Sequence, residues 1–159
     1  MYSFAIDTAD KPALYRDLLS AIDAVTADEA DGIANMANSA ALLWQYLPQL
    51  NWAGFYRMLD GALVLGPFQG KAACIRIALG QGVCGTAAAS GETQIVADVH
   101  AFPGHIACDA ESASELVVPI LRGGAVIAVI DLDSPVKNRF DAEDAAGVAA
   151  IAALLADRL

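Results

Sequence analysis

The sequence predicts an α+β fold in which an antiparallel β-sheet is flanked by N-terminal and C-terminal helices. Two observations indicate this class: apolar residues recur at helical spacing near both ends, and the middle holds short apolar runs joined by turn residues. In addition, no internal repeat, low-complexity tract or Pro/Gly-rich linker divides the chain. We therefore expect residues 1–159 to form one domain, with residues 1–30 as a helical segment at its start.

Three longer segments have the pattern of helices. Apolar residues recur every three or four positions over residues 11–27, and Asp10 and Pro12 suit a helix start. A second helix is predicted over residues 28–46. A third runs from residue 141 to residue 159, because Asp141 suits an N-cap and acidic residues follow it in the first turn.

The strands are predicted from apolar runs bounded by turn signals. Asp60-Gly61 and Arg122-Gly123-Gly124 each separate two such runs, which indicates two hairpins. A turn over residues 80–85 leads into a short Ala-rich helix that ends at Ser90-Gly91. The predicted strands are residues 52–58, 62–65, 74–77, 93–96, 116–121 and 125–133.

One polar loop, residues 98–114, is long for a compact domain. It contains Pro103-Gly104 and few signals for helix or strand. Loops of this length inside a domain are usually functional or disordered. We therefore expect functional residues in it.

Charge and hydropathy exclude several classes of protein. The 159 residues include 9 basic and 19 acidic ones, a net charge of −10, so the chain should repel nucleic acid and anionic membranes. The longest uncharged apolar stretch, residues 145–156, is shorter than the roughly 20 residues of a membrane span. No basic segment precedes an apolar run at the N-terminus. The expectation is a soluble, cytoplasmic protein.

The three cysteines offer the first candidate chemistry. Cys74, Cys84 and Cys108 have no zinc-binding spacing, and His100 and His105 complete no ligand pattern, so no metal site is predicted. Cys108, in the polar loop, is a candidate nucleophile. Cys84 opens the short helix, where amide donors favour a thiolate, although it could equally be a packing residue. Cys74 is predicted as a buried strand residue that could still act as a resolving thiol.

Carboxylates and aromatic residues offer a second set of candidate functional groups. Asp131 and Asp133 are two apart on a predicted strand, so both lie on one face, and Glu115 begins the neighbouring strand. Crowded carboxylates raise one another's pKa, which would let one donate a proton near neutral pH. Trp52 and Tyr56 also share a face, and glycine between them leaves open space for a small ligand; filling the core is the alternative.

Six motifs, in order along the chain, resemble the free methionine-(R)-sulfoxide reductases, which are built on a GAF domain. The motifs are residues 51–56 (NWAGFY), 65–71 (LGPFQGK), 82–86 (GVCGT), 98–100 (DVH), 104–109 (GHIACD) and 131–134 (DLDS). The resemblance covers nearly all of the chain from the second helix onward. It implies a single GAF domain and a role in the response to oxidative stress.

The resemblance also implies a mechanism. The thiolate of Cys108 attacks the sulfoxide sulfur, oxygen passes to the cysteine as sulfenic acid, and methionine leaves. Cys84 or Cys74 then forms a disulfide with Cys108, and thioredoxin restores the thiols, with NADPH supplied indirectly through thioredoxin reductase. No bound cofactor is implied.

The substrate site follows from the same resemblance. Two tasks are divided among Glu115, Asp131 and Asp133: protonation of the sulfoxide oxygen and neutralisation of the substrate ammonium. The resemblance does not assign either task to a particular carboxylate. Trp52 and Tyr56 line the pocket, with Trp52 the wall for the S-methyl group, and residues 98–114 form a lid. GAF domains often dimerise, so a homodimer is a further expectation.

The main alternative is a non-catalytic GAF domain that senses a small ligand. Residues 138–140 (NRF), followed by Asp144, faintly echo a motif of cyclic-nucleotide-binding GAF domains. Such a sensor would respond to its ligand without Cys108, whereas the reductase would not turn over.

Overall fold

The computed structural model describes residues 4–104 and 110–159. In these residues, four α-helices and one six-stranded sheet form an α+β fold, as predicted. Every strand pairs with its neighbours in the antiparallel sense, in the order β3-β2-β1-β6-β5-β4. The strands are β1 (Trp52–Leu59), β2 (Ala62–Gly70), β3 (Arg76–Ala78), β4 (Gln94–Val96), β5 (Ser114–Arg122) and β6 (Ala125–Ser134).

Local capping explains where the helices begin and end. Asp10 caps the first helix by accepting a hydrogen bond from the amide of Ala13, and Asp141 and Asp144 form a capping box on the last. The helices are α1 (Lys11–Thr26), α2 (Gly32–Tyr46), α3 (Gly82–Ser90) and α4 (Ala142–Leu155). In the same residues, no helix combines the length and the apolar composition that crossing a bilayer requires.

Two predicted helix boundaries were wrong. The second helix starts at Gly32 rather than at residue 28, because Asp31 is its N-cap and accepts from the amides of Ile33 and Ala34. The last helix ends at Leu155 rather than at residue 159. The Ala156 carbonyl there accepts from Arg122 Nε instead of continuing the helix.

The third strand was also misplaced. It begins at Arg76, and its ladder joins it only to the first part of β2, through the pairs Ala78–Ala62 to Arg76–Val64. Cys74 therefore precedes the strand, in a segment that returns the chain from the end of β2. It is half-buried, so the prediction of a buried strand residue was wrong.

The sheet has two differently covered faces. One, the helix face, carries side chains such as Phe55, Leu116 and Leu132, which are completely buried against α1, α2 and α4. The other, the pocket face, carries Trp52 and Tyr56, and α3 packs on it. Alternation of side chains along β1, β5 and β6 assigns successive residues to opposite faces.

Candidate functional site

The register of the two strands β5 and β6 brings the three predicted carboxylates together. Glu115 lies directly opposite Asp133, and Asp131 pairs with Val117, two positions along the same ladder. Residues at these positions project from one face, so all three carboxylates lie on the pocket face. Glu115 and Asp131 are buried, with 7% and 6% of their surfaces exposed, and Asp133 is partly buried.

Strand β1 adds the aromatic wall on the other side of β6. Trp52 lies opposite Asp133 and Gly54 lies opposite Asp131. Trp52 and Tyr56 are buried, and their rings stack at a centroid distance of 5.9 Å. The Trp52 indole donates from Nε1 to the Lys71 carbonyl at 3.1 Å, which fixes the ring's orientation. Both predicted aromatic residues therefore line the same pocket as the carboxylates.

The sequence suggested open space beside Gly54, but in the structure this space is filled. A Cβ atom at this position would lie 2.4 Å from Phe68 Cβ and 2.8 Å from the Trp52 ring. Phe68, on β2, stacks on Trp52 at a ring-centroid distance of 5.2 Å. The glycine thus allows Phe68 and Trp52 to approach each other, and the result is a three-ring stack rather than a ligand cavity.

Cys84 lies at the third position of α3, where the helix meets the pocket. Its side chain is buried, and its Sγ lies 3.9 Å from Glu115 Oε1. Burial raises the pKa of the Cys84 thiol well above its ordinary value, and the charges of Asp131 and Glu115 raise it further. The environment therefore favours the thiol over the thiolate that the helix start had suggested.

Burial also shifts the carboxyl groups toward their neutral forms. Desolvation raises the pKa of Glu115 well above its ordinary value, and the charges of Asp131 and Asp133 add to this. Desolvation raises the pKa of Asp131 to about 7. The sequence predicted that crowding would raise these pKa values; burial is the larger cause, and the charges of Asp131 and Asp133, which the register of β5 and β6 sets beside Glu115, add to it at Glu115.

The cysteines differ in their bonding state. Cys74 is disulfide-bonded, whereas Cys84 is free. Cys108, the predicted nucleophile, lies outside the described residues, as does His105. His100 is exposed on a short 3-10 turn over Val99–Ala101.

The pocket contains residues that the sequence reasoning missed. Lys71, Gln81 and Ser112 line it together with the aromatic and acidic groups. Among the described lining residues, Lys71 is the one cation, and its Nζ forms an ion pair with Glu111. The signal available beforehand was weak: Lys71 closes one of the quoted motifs, but an exposed lysine after a strand is ordinary.

Three of these groups form a geometry suited to a metal ion. One ligand atom each from Cys84, Glu115 and Asp131 lies within 4.8 Å of the others, and all three residues are buried. The residues are far apart in sequence, so no spacing rule could have predicted the cluster. It arises because α3 places the thiol over the β5–β6 ladder.

The residues that echoed a cyclic-nucleotide motif hold helices together instead. Asp144 is completely buried and accepts hydrogen bonds from Tyr15 Oη at 2.8 Å, Lys11 Nζ at 2.7 Å and Arg139 Nη1 at 3.1 Å. These contacts join α1 to the start of α4. The motif therefore has a structural explanation in this chain.

Fold and site together define a protein of the GAF class, and a GAF domain family matches residues 38–159. The free methionine-R-sulfoxide reductase of Escherichia coli is 49% identical over 146 residues, which cover 92% of this chain and 88% of that protein. The Neisseria meningitidis free methionine-R-sulfoxide reductase, solved in complex with its substrate, is 46% identical with a TM-score of 0.95; the match covers 99% of this chain and 95% of that one. A putative GAF sensor protein from Burkholderia vietnamiensis is 54% identical with a TM-score of 0.91; the match covers 94% of this chain and 96% of that one.

These similarities extend over nearly the whole chain and include its pocket-forming strands. The chain belongs to the free methionine-R-sulfoxide reductases, a family of oxidoreductases.

Proposed function

We propose that this protein reduces free L-methionine-(R)-sulfoxide to methionine through a cysteine sulfenic acid, and that thioredoxin recycles it. The observation that carries the proposal is the meeting of Glu115, Asp131 and Asp133 with Trp52 in one pocket. A sulfoxide offers a basic oxygen and an apolar methyl group, and the free amino acid adds an ammonium. The pocket provides a partner for each of them.

The first chemical step transfers oxygen from substrate to enzyme. The Cys108 thiolate attacks the sulfoxide sulfur, the oxygen passes to the cysteine sulfur, and methionine leaves as the thioether. The oxygen is a poor leaving group unless it is protonated. Glu115 is suited to donate that proton, because burial and the charges of two neighbouring carboxylates raise its pKa well above the ordinary value and so favour its protonated form.

Asp131 and Asp133 are then left to bind the substrate ammonium. Asp131 Oδ1 is buried and has no hydrogen-bond partner among the described residues, so an ammonium would satisfy it. An acylated nitrogen carries no charge and could not do so. This arrangement explains a requirement for the free amino acid over a methionine sulfoxide within a peptide.

Lys71 completes the recognition of the zwitterion. Its ion pair with Glu111 is exposed, with 60% of the lysine and 68% of the glutamate side chain accessible, so the lysine can exchange Glu111 for the substrate carboxylate at little cost. The ammonium would then face the acidic groups and the carboxylate would face the lysine.

Cys74 is the thiol that we assign to the resolving step. Its disulfide-bonded state supports this role, whereas Cys84 is free and is held in its thiol form. The Cys74 thiol attacks the sulfenic acid, a disulfide forms and water leaves. Thioredoxin then reduces the disulfide by exchange, as expected for an enzyme of a reducing compartment such as the cytoplasm.

The test is thioredoxin-coupled NADPH consumption with three substrates. Free methionine-(R)-sulfoxide should be turned over, and the free S epimer and N-acetylmethionine sulfoxide should not. Cys108→Ser should yield no methionine in a single turnover while it keeps its circular dichroism spectrum. If folded, reduced wild type reduces none of the three substrates, a non-catalytic GAF domain that senses a small ligand becomes the better explanation of the pocket.

A further inference from the structure

The cluster of Cys84, Glu115 and Asp131 has the composition of a transition-metal site. Its three ligand atoms come from one helix and two paired strands, and all lie within 4.8 Å of one another. The sulfur and Glu115 Oε1 are 3.9 Å apart. In tetrahedral zinc, with Zn–S near 2.3 Å and Zn–O near 2.0 Å, a sulfur ligand and an oxygen ligand lie about 3.5 Å apart, so this pair needs to approach by only about 0.4 Å.

A second observation, independent of that grouping, indicates a missing partner at the same place. Asp131 is more than nine-tenths buried, and its Oδ1 forms no hydrogen bond within the described part of the chain. A buried oxygen without a partner costs free energy, which a cation bound there would recover. The orphaned atom lies on the pocket face, where the other two ligands converge.

We propose that Cys84, Glu115 and Asp131 bind a zinc ion, which closes the pocket against substrate. The mixed thiolate and carboxylate set favours zinc over magnesium or calcium, which prefer oxygen ligands alone. Asp133, opposite Glu115 on the ladder, is placed to provide the fourth ligand or to hold a bound water. Zinc and the substrate ammonium would both bind Asp131, so their binding is mutually exclusive; this last consequence rests on the proposed function.

Direct zinc binding tests the site without any reference to activity. Reduced protein is dialysed against zinc chloride and analysed for zinc and protein, with cobalt chloride in parallel to report a thiolate-to-cobalt charge-transfer band. Wild type should bind one zinc per chain and show the band. Oxidised wild type, in which Cys74 is held in its disulfide, should do the same, because Cys84 stays free.

Two cysteine variants form a matched pair. Cys84→Ser should bind zinc at least tenfold more weakly and lose the cobalt band, whereas Cys74→Ser should match wild type within a factor of two. Glu115→Gln, a nearly isosteric change, should also bind zinc at least tenfold more weakly. This second variant keeps the test decisive if Cys84→Ser does not fold. Unchanged zinc affinity in folded Cys84→Ser or Glu115→Gln would overturn the proposal, as would a loss confined to Cys74→Ser.

Competition with substrate is measured separately. Free methionine sulfoxide at ten times its own Kd should weaken zinc binding to wild type about tenfold. In single turnover of reduced enzyme, zinc should slow methionine formation at low substrate concentration and have no effect at saturation. Zinc bound at the cluster without this competition, in an enzyme that turns over methionine sulfoxide, would refute the shared pocket; absence of turnover would refute only the proposed function.

Discussion

Asp131→Asn should change how the stability of the protein depends on pH. In the unfolded chain the carboxyl group ionises near its ordinary pKa of 3.8, but in the folded protein burial raises the pKa to about 7. Between these values the folded state holds a proton that the unfolded state has released. The free energy of unfolding therefore falls as pH rises through this window.

The two pKa values fix the expected magnitude. At about 1.4 kcal/mol per pKa unit, the ionisation of Asp131 lowers the free energy of unfolding by roughly 2 kcal/mol between pH 5 and pH 7. An asparagine carries no such proton. The free energy of unfolding of Asp131→Asn should thus fall less than that of wild type over the same interval, by about this amount.

Urea unfolding of the reduced protein, followed by circular dichroism at pH 5, 6 and 7, measures the difference. Asp98→Asn is a suitable control, because Asp98 is near the surface and its ion pair with Lys137 lowers its pKa. Its contribution to stability is lost only as pH falls through that low pKa, so it should not alter the slope above pH 5. Parallel curves for wild type and Asp131→Asn would refute the argument that burial holds a proton on this residue.

The remaining predictions concern the pocket and the disulfide. Lys71→Met should raise the KM for methionine sulfoxide roughly two- to fivefold and leave the KM for its carboxamide unchanged; Glu111→Gln breaks the same ion pair and should raise neither KM, so an equal rise in both variants would show that the ion pair has a structural role instead. Gly54→Ala should lower kcat/KM at least tenfold and stability by roughly 1–3 kcal/mol, because its Cβ would displace Phe68 and the Trp52 ring; wild-type kinetics would show that the stack is unimportant. Cys74→Ser should release one equivalent of methionine per chain and then stop, and sustained thioredoxin-coupled turnover would disprove its resolving role.

Features set by neighbouring residues could be predicted from the sequence. Asp10 and Asp141 cap helices as expected, and Gly123 and Gly124 adopt the positive φ angles that the tight turn between β5 and β6 requires. The two-residue spacing of Asp131 and Asp133 correctly placed both on one face. These successes share a cause, since the hydrogen bonds and dihedral angles involved span only a few residues.

Features set by pairing between distant segments could not be predicted. The position of Glu115 opposite Asp133 depends on the register of β5 and β6, and a slip of one residue would have turned Glu115 to the helix face. The late start of β3, which leaves Cys74 outside the ladder, depends on how far β2 pairs. The approach of Cys84 to Glu115 depends on the packing of α3 over the sheet.

Side chains alternate between the two faces of the sheet along β6, which explains how the fold tolerates acidic residues that line the pocket. Ile130 and Leu132 are completely buried on the helix face, whereas Asp131 and Asp133 lie between and beyond them on the pocket face. Each carboxylate is therefore attached to backbone that apolar neighbours anchor from the other side. In the unliganded pocket, the buried carboxyl groups and the unpartnered oxygen of Asp131 lower the free energy of unfolding. A cation that binds there recovers part of that free energy. Substrate or zinc should consequently stabilise wild type against urea more at pH 8 than at pH 5, because Asp131, the carboxyl group that we propose both cations share, has a pKa raised to about 7 and is ionised mainly at the higher pH.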